Sequence, residues 1–138
     1  MKYKIGKKLH FCYGHRLMDY DGKCAHAHGH NGILEIELSA AELDDRGMVC
    51  DFGDVKDQVG SFIDEEIDHR MLLRGDDPLV PVLKEMGEEV FIMKENPTAE
   101  NIAKLIFGEA RARGLPVVAI RLWETPHAFA EFREEADS

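Results

Sequence analysis

Residues 24–38 read CAHAHGHNGILEIEL, and two patterns overlap in them. From Ile33 onward, Leu34, Ile36 and Leu38 alternate with Glu35 and Glu37, the period of two that marks a strand with one buried and one wet face. Carried back through the stretch, the same parity sets His28 and His30 on the side of the leucines, so that both imidazoles can reach one ion. If the strand is regular from His28 onward, both imidazoles face inward, where a neutral histidine is a good ligand.

The neighbouring segments complete the sheet. Tyr3, Ile5, Leu9 and Phe11 occupy odd positions with mostly polar or small residues between them, a second half-buried strand. A loop rich in Gly and Asp from Met18 to Lys23 joins the two as an antiparallel pair, which sets His15, just past the first strand, across from the second. Downstream, Asp51 or Gly53 can cap a helix whose Val55, Val59, Phe62, Ile63 and Ile67 recur at helical spacing over about four turns. The segment from Arg74 to Glu95, broken by Asp76-Asp77-Pro78 and Pro81, reads as a turn and irregular pieces with one helical turn near Val82 to Met86. Asn96-Pro97-Thr98 starts a second helix with the stripe Ile102, Leu105, Ile106 and Ala110, and Gly114 with Pro116 ends it. Val117 to Glu124 and Ala128 to Phe132 flank a Thr125-Pro126 turn. The expected class is α+β, a four-stranded antiparallel sheet with two helices on one face.

A chain of 138 residues suits one domain, 1–138, with a core that needs neither disulfides nor a structural metal. With 27 acidic and 17 basic residues the net charge is -10, which argues against nucleic acid or an anionic membrane as partner. An anionic ligand then depends on local cations, and Lys23, Arg16 and Lys8 are nearest to the histidines. No apolar run is long enough to span a bilayer, and the stretch MKYKIGKKLHF lacks the apolar segment of a secretory signal. Three cysteines without framework spacing fit a reducing compartment, so a cytoplasmic location is expected. Cys12 and Cys50 lie in apolar runs and are expected to pack as small hydrophobes. Composition does not account for five of the seven histidines falling within the first thirty residues.

His15, His28 and His30 form a three-imidazole set with an open fourth position, a donor set that suits catalytic Zn²⁺. The competing readings are a surface histidine patch, buried core histidines, and a closed structural site in which Cys24 is the fourth ligand. As a free thiolate Cys24 is instead a base or nucleophile, activated by a neighbouring cation such as Lys23. His26 is expected outside the metal shell and His10 on the strand surface. Asp68-His69 is either an oriented acid/base pair or an exposed charged helix end. Glu124 continues the parity of Val118, Ile120 and Leu122, so its carboxylate faces the apolar side and needs a partner. That partner is a ligand with an amidine-like pair of N–H groups, or an internal arginine, Arg16 or Arg121.

Taken together, Phe11-x-x-x-His15-Arg-Leu, Cys24-x-x-x-His28-Gly-His30, Asp51-Phe52, Asp68-His69, Asn96-Pro97-Thr98-Ala99-Glu100-Asn101 and Glu124-Thr125 resemble the 6-pyruvoyl-tetrahydropterin synthase family from about Tyr3 to Phe132. The short loop between His15 and Cys24 resembles the bacterial branch, the 6-carboxy-tetrahydropterin synthases of queuosine and deazapurine biosynthesis. The resemblance implies a tunnelling fold in which sheets of several subunits join into a barrel, usually a homo-hexamer of two trimers with sites between subunits. It implies zinc on His15, His28 and His30, Cys24 as the proton-abstracting thiolate, Asp68 and His69 as the relay, and Glu124 with Thr125 at the pterin. The implied reaction takes 7,8-dihydroneopterin triphosphate to 6-carboxy-5,6,7,8-tetrahydropterin with release of acetaldehyde and triphosphate. The pyruvoyl branch stops after triphosphate elimination. From a different class, a non-catalytic metal-binding module would use the same histidines for storage.

Overall fold

Strand β1 (Tyr3–His15) pairs antiparallel with β2 (His28–Ala40) from Tyr3 opposite Ala40 to His15 opposite His28. Both strands run further than the alternation of their apolar residues indicates, and His15 is the last residue of β1 rather than a residue beyond it. At this end the backbones come close: a Cβ on Gly29 would lie 3.1 Å from the Tyr13 carbonyl oxygen, so a side chain opposite Gly14 would require the backbone to give by a few tenths of an ångström. A computed structural model describes residues 2–135.

After β2 come α1 (Phe52–Glu66), β3 (Arg70–Arg74), α2 (Leu79–Glu85), β4 (Val90–Met93), α3 (Ala99–Ala112), β5 (Val117–Thr125) and β6 (Ala128–Arg133). The two long helices start where side chains can satisfy their orphan amides: Asp51 accepts from the Gly53 N–H and Thr98 from the Asn101 N–H. The α+β class holds, but the sheet corrects the expected four strands to six, in the order β4-β3-β1-β2-β5-β6. β3 runs parallel to both β1 and β4, while the other pairings are antiparallel. The stretch from Arg74 to Glu95 carries the expected helical turn as α2, which begins at Leu79, and adds the edge strand β4 that was expected to be irregular.

One face of the sheet holds the core. Phe11, Tyr13, Leu34, Ile36, Leu38, Ile120 and Leu122 pack with Val55, Val59, Phe62 and Ile63 of α1 and Ile102, Ala103 and Ile106 of α3. Each such leucine or isoleucine, fully buried, contributes roughly 1.5–3 kcal/mol. The opposite face carries an ion-pair lattice in which Lys4 and Arg133 meet Glu37 and Arg121 meets Glu131. Among the described residues no helix is long and apolar enough to cross a membrane.

Candidate active site

His15 and His28 face each other across the last rung of the β1–β2 ladder, and His30 stands two residues further along β2 on the same side. Their ring centroids are 4.6–5.1 Å apart, and one donor atom from each lies within 4.8 Å of the others. Two of the rings are held by the backbone. His15 Nδ1 donates to the Pro97 carbonyl at 2.7 Å, and His28 Nδ1 donates to the His26 carbonyl at 2.7 Å. A carbonyl only accepts, so both Nδ1 atoms carry the hydrogen and both Nε2 atoms present a lone pair. His15 Nε2 and His30 Nε2 are buried without a hydrogen-bond partner. Burial pushes the His15 pKa down against the pull of the Pro97 carbonyl and Glu124, which keeps the ring neutral at pH 7. Three convergent imidazoles, two of them with Nε2 lone pairs set by their Nδ1 bonds, fit a borderline-soft divalent cation.

Glu124 closes the cluster. The β5–β6 register slips between Trp123 and Thr125, and the irregularity aims the carboxylate across β2 toward the histidines. Its Oε2 lies 3.3 Å from His30 Nε2 and its Oε1 4.0 Å from His15 Nε2. Neither arginine considered as its partner reaches it: Arg16 makes a bidentate pair with buried Asp77, and Arg121 turns to Glu131 and Glu35. Beside Glu124, Tyr13 is 3% exposed, with its hydroxyl unpartnered, and burial first and the Glu124 charge second push its pKa up. Tyr13 has the odd parity of His15, a signal available in the sequence.

The remaining residues divide. Cys24 is half-buried on a single 3-10 turn, Lys23–Ala25, where its carbonyl accepts from the Leu17 N–H at 2.8 Å. His69 Nδ1 donates to Asp68 Oδ2 at 2.8 Å, so the expected pair is formed. The third donor beside that pair is Cys12, however, and Cys24 belongs to neither cluster of donors among the described residues. Cys12, expected to pack as a small hydrophobe, thus faces polar groups, because the parallel β1–β3 pairing sets it next to the turn into β3. His69 also has a left-handed backbone, φ +61°, pinned by its N–H bond to the Cys12 carbonyl. Thr125 is exposed, and its hydroxyl accepts from the His127 N–H within the β5–β6 turn. His10 and His26 are exposed and outside the three-histidine set, as expected.

Of the three cations considered for an anionic ligand, Arg16 is held by Asp77 and Lys8 lies 3.8 Å from Glu35, while Lys23 is exposed and has no ion-pair partner among the described residues. Asn96 is a further positioning group. Its side chain bonds both the N–H and the carbonyl of Met18, tying the loop after His15 to the segment that supplies the Pro97 carbonyl.

Proteins similar to this chain match it over nearly its whole length. The 6-carboxy-5,6,7,8-tetrahydropterin synthase of Rickettsia conorii is 37% identical over 141 aligned residues, covering 93% of this chain and 98% of its own. The enzyme of the same name from Aquifex aeolicus is 33% identical, covering 98% of this chain and all of its own. Among solved structures, an uncharacterised protein from Wolinella succinogenes aligns with a TM-score of 0.81 at 29% identity, over 96% of this chain and 98% of that one. The 6-pyruvoyl tetrahydropterin synthase of Caenorhabditis elegans aligns at 0.73 with 22% identity over 96% of each chain, a likeness of fold. The sequence profile described as 6-pyruvoyl tetrahydropterin synthase matches residues 4–135, so the strands that carry the histidines and Glu124 lie within it and the chain belongs to that family.

Proposed function

We propose that the chain is a zinc-dependent lyase that converts 7,8-dihydroneopterin triphosphate and water to 6-carboxy-5,6,7,8-tetrahydropterin, acetaldehyde and triphosphate. The observation that carries this reading is the convergence of three imidazole donors with Glu124, 3.3 Å from His30. His15, His28 and His30 would hold the ion, which supplies Lewis acidity to substrate hydroxyls. Glu124 binds the N–H edge of the pterin with charge-assisted bonds and fixes the ring. Thr125 sits next to it at the rim. Cys24 removes a proton from the side chain of the substrate. His69, oriented by its bond to Asp68, holds a proton at the ring nitrogen that faces away and returns it. Lys23 is the cation best placed for the triphosphate.

Because Cys24 stands apart from Asp68 and His69 within one chain, the reading includes a homo-oligomer, two trimers forming a hexamer, in which a second copy brings the relay to Cys24. The sheet supports it with two open edges, β4 and β6, which assembly would cover. The activity belongs to the cytoplasm and to queuosine and deazapurine biosynthesis.

The test is incubation of anaerobically purified, zinc-assayed protein with 7,8-dihydroneopterin triphosphate, followed by mass analysis of the products. Acetaldehyde and the 6-carboxy product are expected. Triphosphate elimination without acetaldehyde would assign the pyruvoyl reaction, and labile metal without turnover would leave a storage module.

A further inference from the structure

The pleat that sends Tyr13 and His15 to the core sends Cys12 to the other face of β1, and there a second set of donors gathers. A thiol sulfur from Cys12, a carboxylate oxygen from Asp68 and a ring nitrogen from His69 lie within 4.8 Å of one another. We propose that these three residues form a second site for a zinc-class divalent cation, with a thiolate ligand, separate from the three-histidine cluster.

The backbone builds this cluster from several directions. The Cys12 N–H donates to Asp68 Oδ1 at 3.0 Å and the His69 N–H donates to the Cys12 carbonyl at 2.8 Å. The Asp68 N–H donates to the Ile63 carbonyl at the end of α1, at 2.7 Å. Chain elements 56 residues apart are thus locked together, and three different donor types come within reach of one ion once His69 Nδ1 gives up the hydrogen it shares with Asp68. Sulfur, nitrogen and oxygen donors in one set favour zinc and cobalt over magnesium or calcium.

The charge is suitable too. Asp68 brings a carboxylate that accepts from the Cys12 amide and from the His69 ring. Ion binding would expel the Cys12 thiol proton and leave two negative ligands around a dication. Arg70, the neighbouring cation, pairs with Glu89. Cys12 and His69 line an open cavity of about 600 Å³, which leaves room for a water as the fourth ligand.

Occupancy of this site would withdraw His69 from proton transfer, so excess zinc would inhibit turnover. That consequence rests on the relay role proposed above, whereas the stoichiometry does not.

The experiment is a Co²⁺ titration of whole protein already loaded with one zinc per chain. A second ion per chain is expected, with a near-ultraviolet thiolate-to-cobalt charge-transfer band. Cys12→Ala should erase the band and weaken the second ion by more than about tenfold, the loss that even outer partners of a ligand produce. Cys24→Ala should keep both. His69→Asn should weaken the same ion without touching the thiol. Independently of any variant, added Zn²⁺ should slow alkylation of Cys12, located by peptide mass mapping. A single ion per chain, a band lost in Cys24→Ala instead of Cys12→Ala, or unchanged Cys12 alkylation would each overturn the proposal. Turnover that persists with the second ion bound would count against the relay role of His69 alone.

Discussion

On the core face of the β1–β2 ladder His15 is 2% exposed and its ring is fixed by the Pro97 carbonyl, while beside Cys12 on the opposite face His69 keeps 78% of its side chain exposed and its ring bonds to Asp68. The difference separates two uses of one side chain. A ring whose Nδ1 must donate to a carbonyl, and whose burial disfavours the cation, is locked as a neutral ligand. A ring in water, held by one bond to a carboxylate, leaves its other nitrogen open to solvent. The core face buries both sides of its ring, and the outer face leaves one side of its ring open.

The strongest way to break this contrast is to remove a holder. His28→Ala should lower metal content from one ion per chain to a small fraction and abolish turnover with it, measured by metal assay and product formation on the same sample. Retained stoichiometric metal would show that the three rings do not act together. Cys24→Ala should lower turnover by about 10²–10⁴-fold with metal content unchanged. Loss of zinc there would instead make Cys24 a ligand of a closed site. Glu124→Gln tests the edge of the core-face cluster: substrate affinity should fall roughly tenfold to a hundredfold, the value of one charge-assisted bond, with the melting curve preserved. Unchanged affinity would leave the carboxylate only as a neighbour of the histidines.

The smallest effect concerns the tie between the segment leaving His15 and the turn after β3. Asp77→Asn should cost about 2 kcal/mol of stability, below the range for a fully buried pair because Arg16 keeps 26% of its side chain exposed. The Arg16 guanidinium holds the Asp77 carboxyl below its ordinary value of 3.8. The stability it contributes is therefore complete above about pH 3.8 and is lost as pH falls through the lower folded-state value. Acid unfolding followed by circular dichroism should show a shallower fall below pH 4 in the variant. An identical acid limb would mean that the pair contributes nothing in solution.

The central hairpin and both long helices were legible because their patterns are local. Alternation at Leu34, Ile36 and Leu38 marked β2, and Asp51 and Thr98 marked the helix starts at which their side chains now cap. His28 and His30 were legible for the same reason, since their parity ran on into Leu34, Ile36 and Leu38, and His15 through the antiparallel pairing that sets it across from them. β3 was not: Leu72 and Leu73 are both fully buried, so the strand has no wet face to give it a period. Missing β3 hid the neighbour of Cys12, because only the parallel β1–β3 pairing brings residue 12 beside residues 68 and 69. The Pro97 contact was hidden more deeply. It uses a backbone carbonyl 82 residues from His15, and a carbonyl has no letter in a sequence.

The left-handed backbone of His69 reaches beyond the site. At φ +61° a side chain with a Cβ costs about 1 kcal/mol that glycine would not. A redesign guided by thermal stability alone would therefore choose Gly at position 69, gain melting temperature, and discard the imidazole. Tolerance of a histidine where glycine folds better is a trade of robustness for chemistry. It makes this turn a place where selection for a hardier protein and selection for a working one would pull apart.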